Sequence, residues 1–278
     1  MLHNTMKLLM SIEKLNSILS CSVDRKIRNI LIVDTRPFSD YLKGHIPGSI
    51  NVDLMQFHWI DTSADGIREF IRQSRYLLSN VGVREKDLVI FYDDTTGPSA
   101  ARGLWLLLYF SHKRVAILNG GFNKWKEKGH DIQKSTNQFR YSRFYGKVNP
   151  ELLATAKDIL SGLGSRKSLR ANVIDSRSKP EFDGTIVRGG RRGHIPTAVH
   201  IDWKMNLTGG FFKTCKELAK LYCTLPKDKQ IITYCQGGYR AANTFLALRL
   251  LGYDKVKVYL GSWGEWSSRH DLPVEYRK

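Results

Sequence analysis

The sequence predicts an α/β protein built from two copies of one fold, each a mainly parallel sheet with helices on both faces. Three observations carry this. The chain repeats itself at a nearly fixed shift, short β-branched runs alternate with helical stretches, and 42% of the 278 residues are hydrophobic, enough to bury a proper core. The repeat is ordered along the chain. Asp34-Thr35-Arg36 returns as Asp175-Ser176-Arg177 after 141 residues, Val89-Ile90-Phe91-Tyr92 as Ile231-Ile232-Thr233-Tyr234 after 142, and Trp125 as Trp266 after 141. Gly44-His45-Ile46-Pro47 returns as Gly193-His194-Ile195-Pro196 after 149, so the second copy carries eight extra residues between its first two motifs. Chance does not give ordered matches at one shift. Domains are therefore expected over residues 10–134 and 149–278. The linker between them, 135–148, reads STNQFRYSRFYGKV, has no clear period, and is expected to lie over both domains as an ordered strap.

The elements follow in order. Ile18-Leu19-Ser20 closes an opening helix that Ile159-Leu160-Ser161 matches in the second copy. Ile30–Val33, Leu88–Tyr92 and Val115–Leu118 read as buried strands, with a helix over Ser99–Phe110 between the last two. In the second copy Asn149 is placed to cap a helix start, with Pro150 at the first turn and Glu151 behind it. Val173–Ile174, Gln230–Tyr234 and Val256–Leu260 are the strands, and Lys216–Thr224 is a helix. A further helix over Ala241–Leu251 sets Phe245, Leu248 and Leu251 on one face, and Gly252 stops it. Strand–helix alternation of this kind gives parallel sheets covered on both faces. Ligands in such sheets bind beyond the carboxyl ends of the strands.

Composition narrows the function. The chain holds 44 Lys+Arg against 26 Asp+Glu, a net charge of +18 that attracts anions. Basic residues are spread along the chain, and the densest group, Arg188, Arg191 and Arg192, is short, so a small anionic substrate fits better than nucleic acid. No apolar run approaches the ~18 residues of a membrane span. Glu13 and Lys14 interrupt the apolar region that a signal peptide would need, so a cytoplasmic location is expected. The four cysteines, Cys21, Cys215, Cys223 and Cys235, show no CxxC spacing, and the eight histidines no metal spacing. Neither a disulfide, a metal nor any other cofactor is expected.

Cys235 stands out. It follows the apolar strand Gln230–Tyr234 and precedes Gln236-Gly237-Gly238-Tyr239-Arg240 and then the helix. A loop curling from strand end to helix start turns its N–H groups inward, and the two glycines permit positive φ. Such a nest, with the helix dipole behind it, stabilises an anion at the sulfur and makes a nucleophile of the thiolate. Arg240 adds a charge beside it. The other cysteines neither follow a strand nor precede a glycine turn. Arg36 and Arg177 are placed to pair with Asp34 and Asp175 at strand ends, and His45 and His194 to pack in turns. Arg177 is also a candidate substrate contact, as are Arg188, Arg191 and Arg192 in the insertion for steering an anionic donor, and Trp263 for lining the cleft.

At these residues the chain resembles the tandem-domain rhodaneses, the family of thiosulfate and 3-mercaptopyruvate sulfurtransferases, over roughly residues 10–278. The resemblance rests on Asp175-Ser176-Arg177, Gly193-His194-Ile195-Pro196, the loop Cys235 to Arg240, and Gly261-Ser262-Trp263-Gly264-Glu265-Trp266. In the first copy it rests on Asp34-Thr35-Arg36, Gly44-His45-Ile46-Pro47-Gly48 and Asn119-Gly120-Gly121-Phe122. It implies that Cys235 takes a sulfur atom from a small anionic donor, holds it as a persulfide cradled by six loop amides, and passes it to cyanide or to a thiol such as glutathione or a thioredoxin-like protein. The first domain, with Asp93 at the cysteine position, is then inactive. The loop Cys-Gln-Gly-Gly-Tyr-Arg matches neither the mercaptopyruvate type nor the well-known thiosulfate type, and Glu181 stands where the latter often has Arg. Arg240 and the net charge favour thiosulfate, with 3-mercaptopyruvate as the alternative donor and a persulfide carrier for a partner protein as the alternative role. A cysteine-dependent phosphatase is disfavoured, because only four residues separate Cys235 from Arg240 where wrapping a phosphate takes five.

Overall fold

The computed structural model describes residues 8–20, 29–164 and 172–276; Cys21 lies outside the described residues. The chain forms two compact units, one of Met1–Phe57, Phe70–Val148 and Leu207–Phe212, the other of His58–Glu69, Asn149–Asn206 and Lys213–Lys278. The division is thus not a single cut within 135–148: two short segments count with the unit of the opposite copy.

In chain order the first copy runs β1 (Leu9–Met10), α1 (Ile12–Ser20), β2 (Ile30–Asp34), α2 (Phe38–Lys43), β3 (Ile50–Asn51), α3 (Ala64–Val81), β4 (Leu88–Tyr92), α4 (Pro98–Tyr109), β5 (Val115–Leu118) and α5 (Gly121–Glu127). The second runs β6 (Leu153–Ala154), α6 (Ala156–Gly164), β7 (Asn172–Asp175), α7 (Lys179–Asp183), β8 (Val199–His200), β9 (Leu207–Thr208), β10 (Phe211–Phe212), α8 (Cys215–Leu221), β11 (Ile231–Tyr234), α9 (Tyr239–Leu250), β12 (Val256–Tyr259) and α10 (Ser262–Ser268). Each unit holds a five-stranded sheet, ordered β1-β5-β4-β2-β3 and β6-β12-β11-β7-β8, so the repeat in sequence is a repeat in topology. Every pairing in both sheets is parallel. The short antiparallel pair β9–β10 stands apart in the first unit.

The middle strands explain why the apolar runs do not alternate with polar residues. β11 is buried along its whole length and β4 beyond Leu88, as strands covered on both faces must be. Around β11, Ile232 and Tyr234 pack with Ile159, Ile195, Tyr259, Trp263 and Trp266; around β4, Ile90 and Tyr92 pack with Leu15, Ile46, Leu118 and Trp125. The helix α9 is buried on nearly all sides rather than on one face: Asn243, Thr244, Leu246 and Ala247 are covered along with Phe245 and Leu248. Gly252, at φ +79, ends it as its spacing suggests.

Two expected helices differ from the observed ones. Asn149 does cap a turn, its side chain accepting from the Glu151 N–H, but the turn is a single 3₁₀ stretch over Pro150–Leu152, and the helix proper begins only at Ala156. The helix α8 starts at Cys215 and ends at Leu221, its first turn fixed by a reciprocal Thr214–Glu217 capping box. The strap 135–148 has no regular structure and is fastened within the first unit. Asn137 donates to the Ser49 carbonyl at 2.8 Å, the Ser142 hydroxyl to that of Val83 at 2.7 Å, and the Phe144 N–H to Ser79 Oγ at 3.1 Å.

Candidate active site

The second sheet delivers Cys235 to its carboxyl edge. β11 ends at Tyr234, and α9 begins only four residues after the cysteine. So tight a turn needs the left-handed conformation of Gly238, φ +86, at the helix N-cap. That conformation aims the Gly238 N–H at Cys235 Sγ, 3.2 Å away, with the positive end of the 12-residue α9 behind it. The loop carbonyls are used elsewhere: Cys235 O accepts from the Trp263 N–H and Gln236 O from the Gly264 N–H, both at 2.9 Å. The Cys235 N–H donates to Ser262 Oγ at 3.2 Å, and that hydroxyl donates to the Tyr259 carbonyl at 2.8 Å.

Gly237 serves a different purpose from its neighbour. Its φ is not in the left-handed region, but a Cβ there would stand 2.0 Å from Cε1 of His58. The imidazole thus lies against the loop backbone, nearly parallel to the Tyr239 ring with centroids 6.1 Å apart. His58 escapes the sequence reading, since no spacing links it to Cys235. Its segment is held by Thr62, whose hydroxyl donates to the buried Glu265 carboxylate at 2.6 Å and whose N–H donates to it at 3.2 Å; the Tyr259 hydroxyl donates to the same group at 2.8 Å.

Charge around the loop differs from expectation. Arg240 is not a lone cation but grips the Glu181 carboxylate with both arms, at 2.6 and 2.9 Å. Burial pushes Glu181 up, but the hydrogen bonds from Arg240 and Ser178 outweigh it and bring the carboxyl down to about 2. For Arg240, burial works against the charge, and the bonds to Glu181 together with the negative potential of Cys235 hold it above its ordinary range. Arg188 remains: its Nε lies 3.8 Å from Glu181, its side chain is 63% exposed, and its carbonyl accepts from Gln236 Nε2 at 3.2 Å. The Gln236 Oε1 atom is buried without a hydrogen-bond partner.

The other expected substrate contacts are placed in the framework instead. Arg177 is 1% exposed, paired with Asp175 at 2.6 Å and bonded to the Gly193 carbonyl, with Trp263 stacked on its guanidinium at 4.5 Å. Trp263 is equally buried. Arg191 spends its guanidinium on the carbonyls of Trp266, Ser267, Arg269 and Leu272, clamping the end of α10. Arg192 lies over the Tyr276 ring at 4.4 Å. His194 stacks on Phe182 with its Nδ1 on the Phe182 carbonyl, as His45 does with Tyr41.

The rhodanese-like domain family matches this chain twice, over residues 22–128 and 155–269. The chain belongs to that family. Among its relatives, the thiosulfate sulfurtransferase of Pseudomonas aeruginosa is 30% identical over 249 residues, covering 88% of this chain and 91% of the relative. The 3-mercaptopyruvate sulfurtransferase of Escherichia coli K12 is 32% identical over 247 residues, with 87% of each chain covered. The sulfur carrier protein TtuD of Thermus thermophilus is 31% identical over 261 residues, covering 88% and 87%. The anaerobic ergothioneine biosynthesis enzyme from Chlorobium limicola shares the fold, with a TM-score of 0.82 at 20% identity over 97% of this chain and 70% of that one. Sulfur transfer is the activity class of this rhodanese. In its first unit the loop after β4 begins with Asp93, whose Oδ1 accepts from the N–H groups of Gly97 (2.9 Å) and Thr95 (3.2 Å) and whose Oδ2 accepts from that of Ala100 (3.2 Å). The carboxylate thus fills its own amide cradle. Burial pushes it up to about 6, with the backbone donors pulling part of the way back.

Proposed function

We propose that the protein is a thiosulfate sulfurtransferase acting through Cys235. The thiolate attacks the outer sulfur of thiosulfate, forming a new S–S bond while the old one breaks. Sulfite leaves with the electron pair, and a Cys235 persulfide remains. A nucleophilic acceptor, cyanide or a thiol such as glutathione or a thioredoxin-like protein, then takes the terminal sulfur and returns the thiolate. The supporting observation is the placement of Sγ against the Gly238 amide at the head of α9, where preorganised dipoles favour negative charge on sulfur in both states. Arg188, the exposed cation held near the loop, is read as the residue that draws in the anionic donor. Near-complete burial of Cys235 favours a small donor over a bulky protein one.

The remaining loop residues, Gln236 to Arg240, are read as the cradle, with Arg240 fixed by Glu181 rather than touching donor. No helix among the described residues is long and apolar enough to cross a membrane. The exposed free thiols of Cys215 and Cys223 suit the reducing cytoplasm, where we place the protein. Rates with thiosulfate and with 3-mercaptopyruvate, measured side by side with cyanide as acceptor, test the reading. Thiosulfate is expected to be the faster donor. A preference for mercaptopyruvate overturns the donor assignment, and a stable persulfide with negligible thiocyanate formation replaces the enzyme with a carrier.

A further inference from the structure

We propose that the strap of the first unit is a binding surface for single-stranded RNA. Residues 138–147, QFRYSRFYGK, interleave aromatic rings with cations, and no Asp or Glu occurs between Asp131 and Glu151. Phe139, Tyr141 and Tyr145 are 56%, 69% and 77% exposed, while Phe144 alone turns inward, its ring meeting Phe110 edge-on at 5.6 Å. Three large rings left in water within seven residues are a standing cost that a partner would relieve.

The backbone beneath these rings is already ordered. Arg75 of α3 donates to the Gly146 carbonyl at 3.2 Å, and the Ser142 N–H to the Ser79 carbonyl at 2.9 Å. Little chain entropy is therefore lost when the rings are covered. Exposed rings between exposed Arg140, Arg143 and Lys147 match a polymer that presents flat bases and phosphates alternately. An acidic protein would use the cations but leave the rings unstacked, and a lipid surface would take up the rings without the flat faces on which they stack. RNA is favoured over DNA because the tyrosine hydroxyls can meet its 2′-hydroxyls. The net charge of +18 steers such a polyanion towards the chain. The basic residues form no stripe along the chain; the signal here is the alternation of rings and cations, not the density of charge.

Fluorescence anisotropy of the full chain with a labelled single-stranded uridine-rich RNA of roughly 20 nucleotides, at about 50 mM salt, tests this. Saturable binding is expected, with a slope of log affinity against log salt near −2 for three phosphate contacts at ~0.7 each. Tyr141→Ala with Tyr145→Ala should weaken binding by about 10- to 100-fold, with the circular dichroism spectrum unchanged. Arg140→Gln with Arg143→Gln should cut the slope by about 1.4. Lys216→Gln with Lys220→Gln on α8 removes the same charge elsewhere and should leave affinity within about twofold. The proposal is overturned if the tyrosine pair can be removed without effect, if the α8 pair matters as much as the arginines, or if phosphatidylserine vesicles bind better than the RNA and displace it.

Discussion

The two units set the same frame and fill it differently. At the strand ends, Arg36 grips Asp34 and the Gly44 carbonyl as Arg177 grips Asp175 and the Gly193 carbonyl, with corresponding distances equal to within 0.1 Å. The Tyr92 and Tyr234 hydroxyls both accept from a backbone N–H at 3.1 Å, from Ile46 and Ile195. Beyond the middle strand the copies part. In one loop a carboxylate folds back onto its own amides; in the other the side chain is one sulfur atom met by the Gly238 amide. On the proposed role of Cys235, identical scaffolding does not by itself carry the chemistry, and the residue at one position decides whether the cradle is occupied by the protein or can accept something else.

The largest expected effect separates the two positions outright. Cys235→Ser should lower thiocyanate formation by more than about a thousandfold, since the hydroxyl cannot hold a transferable sulfur. Asp93→Asn should leave the rate within about threefold. A comparable loss in Asp93→Asn would mean that the first loop takes part in the chemistry and that the comparison is wrong.

Next come the two perturbed carboxylates, which should give opposite slopes of stability against pH. Asp93 is raised to about 6 in the fold, from 3.8, so its contribution is fully present below about pH 4 and is lost as pH rises through about 6. Its ionisation costs the folded state on the order of 3 kcal/mol, the free-energy equivalent of moving the carboxyl from 3.8 to about 6. Asp93→Asn should therefore gain on the native chain as pH rises from about 4 to 7, less whatever the amide loses against the Ala100 N–H. Glu181 is lowered to about 2, from 4.5, so its contribution is present above about pH 4.5 and is lost as pH falls through about 2. Glu181→Gln should cost roughly 1–2 kcal/mol at neutral pH, allowing for solvent near the pair, and the deficit should shrink under acid. Denaturant titrations of both variants across this range check the signs; parallel slopes would refute the contrast.

What could be read in advance follows from how local each signal is. The middle strands announce themselves because burial on both faces demands uninterrupted β-branched and aromatic runs, as in Leu88–Tyr92 and Ile231–Tyr234. Cys235 is legible because strand end, glycines and helix start are contiguous. Long-range pairings are not. Arg191 reads as a solvated cation until four carbonyls some 75 residues away converge on it. Glu181 reads as a departure from the family's donor site until Arg240 is seen beside it. His58 carries no local mark at all; the absence of a side chain at Gly237 is the one trace its ring leaves in the sequence, and a glycine beside a glycine is more naturally read as a turn.

The smallest expected effect lies at the positions that buttress the two loops. Gly121 and Ser262 correspond, 141 residues apart, and both are left-handed, at φ +61 and +52. The first cannot carry a Cβ, which would stand 1.9 Å from the Thr95 carbonyl oxygen. The second carries one against its backbone preference, a strain of about 1–2 kcal/mol for a non-glycine residue. What offsets the strain is the hydroxyl, which takes the Cys235 N–H and binds the Tyr259 carbonyl. Ser262→Ala keeps the strain and loses the bonds, so it should destabilise by about 1–2 kcal/mol. Ser262→Gly loses the same bonds but relieves the strain and should lie within about 1 kcal/mol of the native chain. Glycine more stable than alanine at this position is the reverse of the order in an ordinary helix, and thermal denaturation of the two variants reads it directly. If alanine proves the better tolerated, the left-handed backbone at this position is not a strain that glycine relieves; if neither variant loses stability, the hydroxyl is not what holds the cysteine's backbone in place.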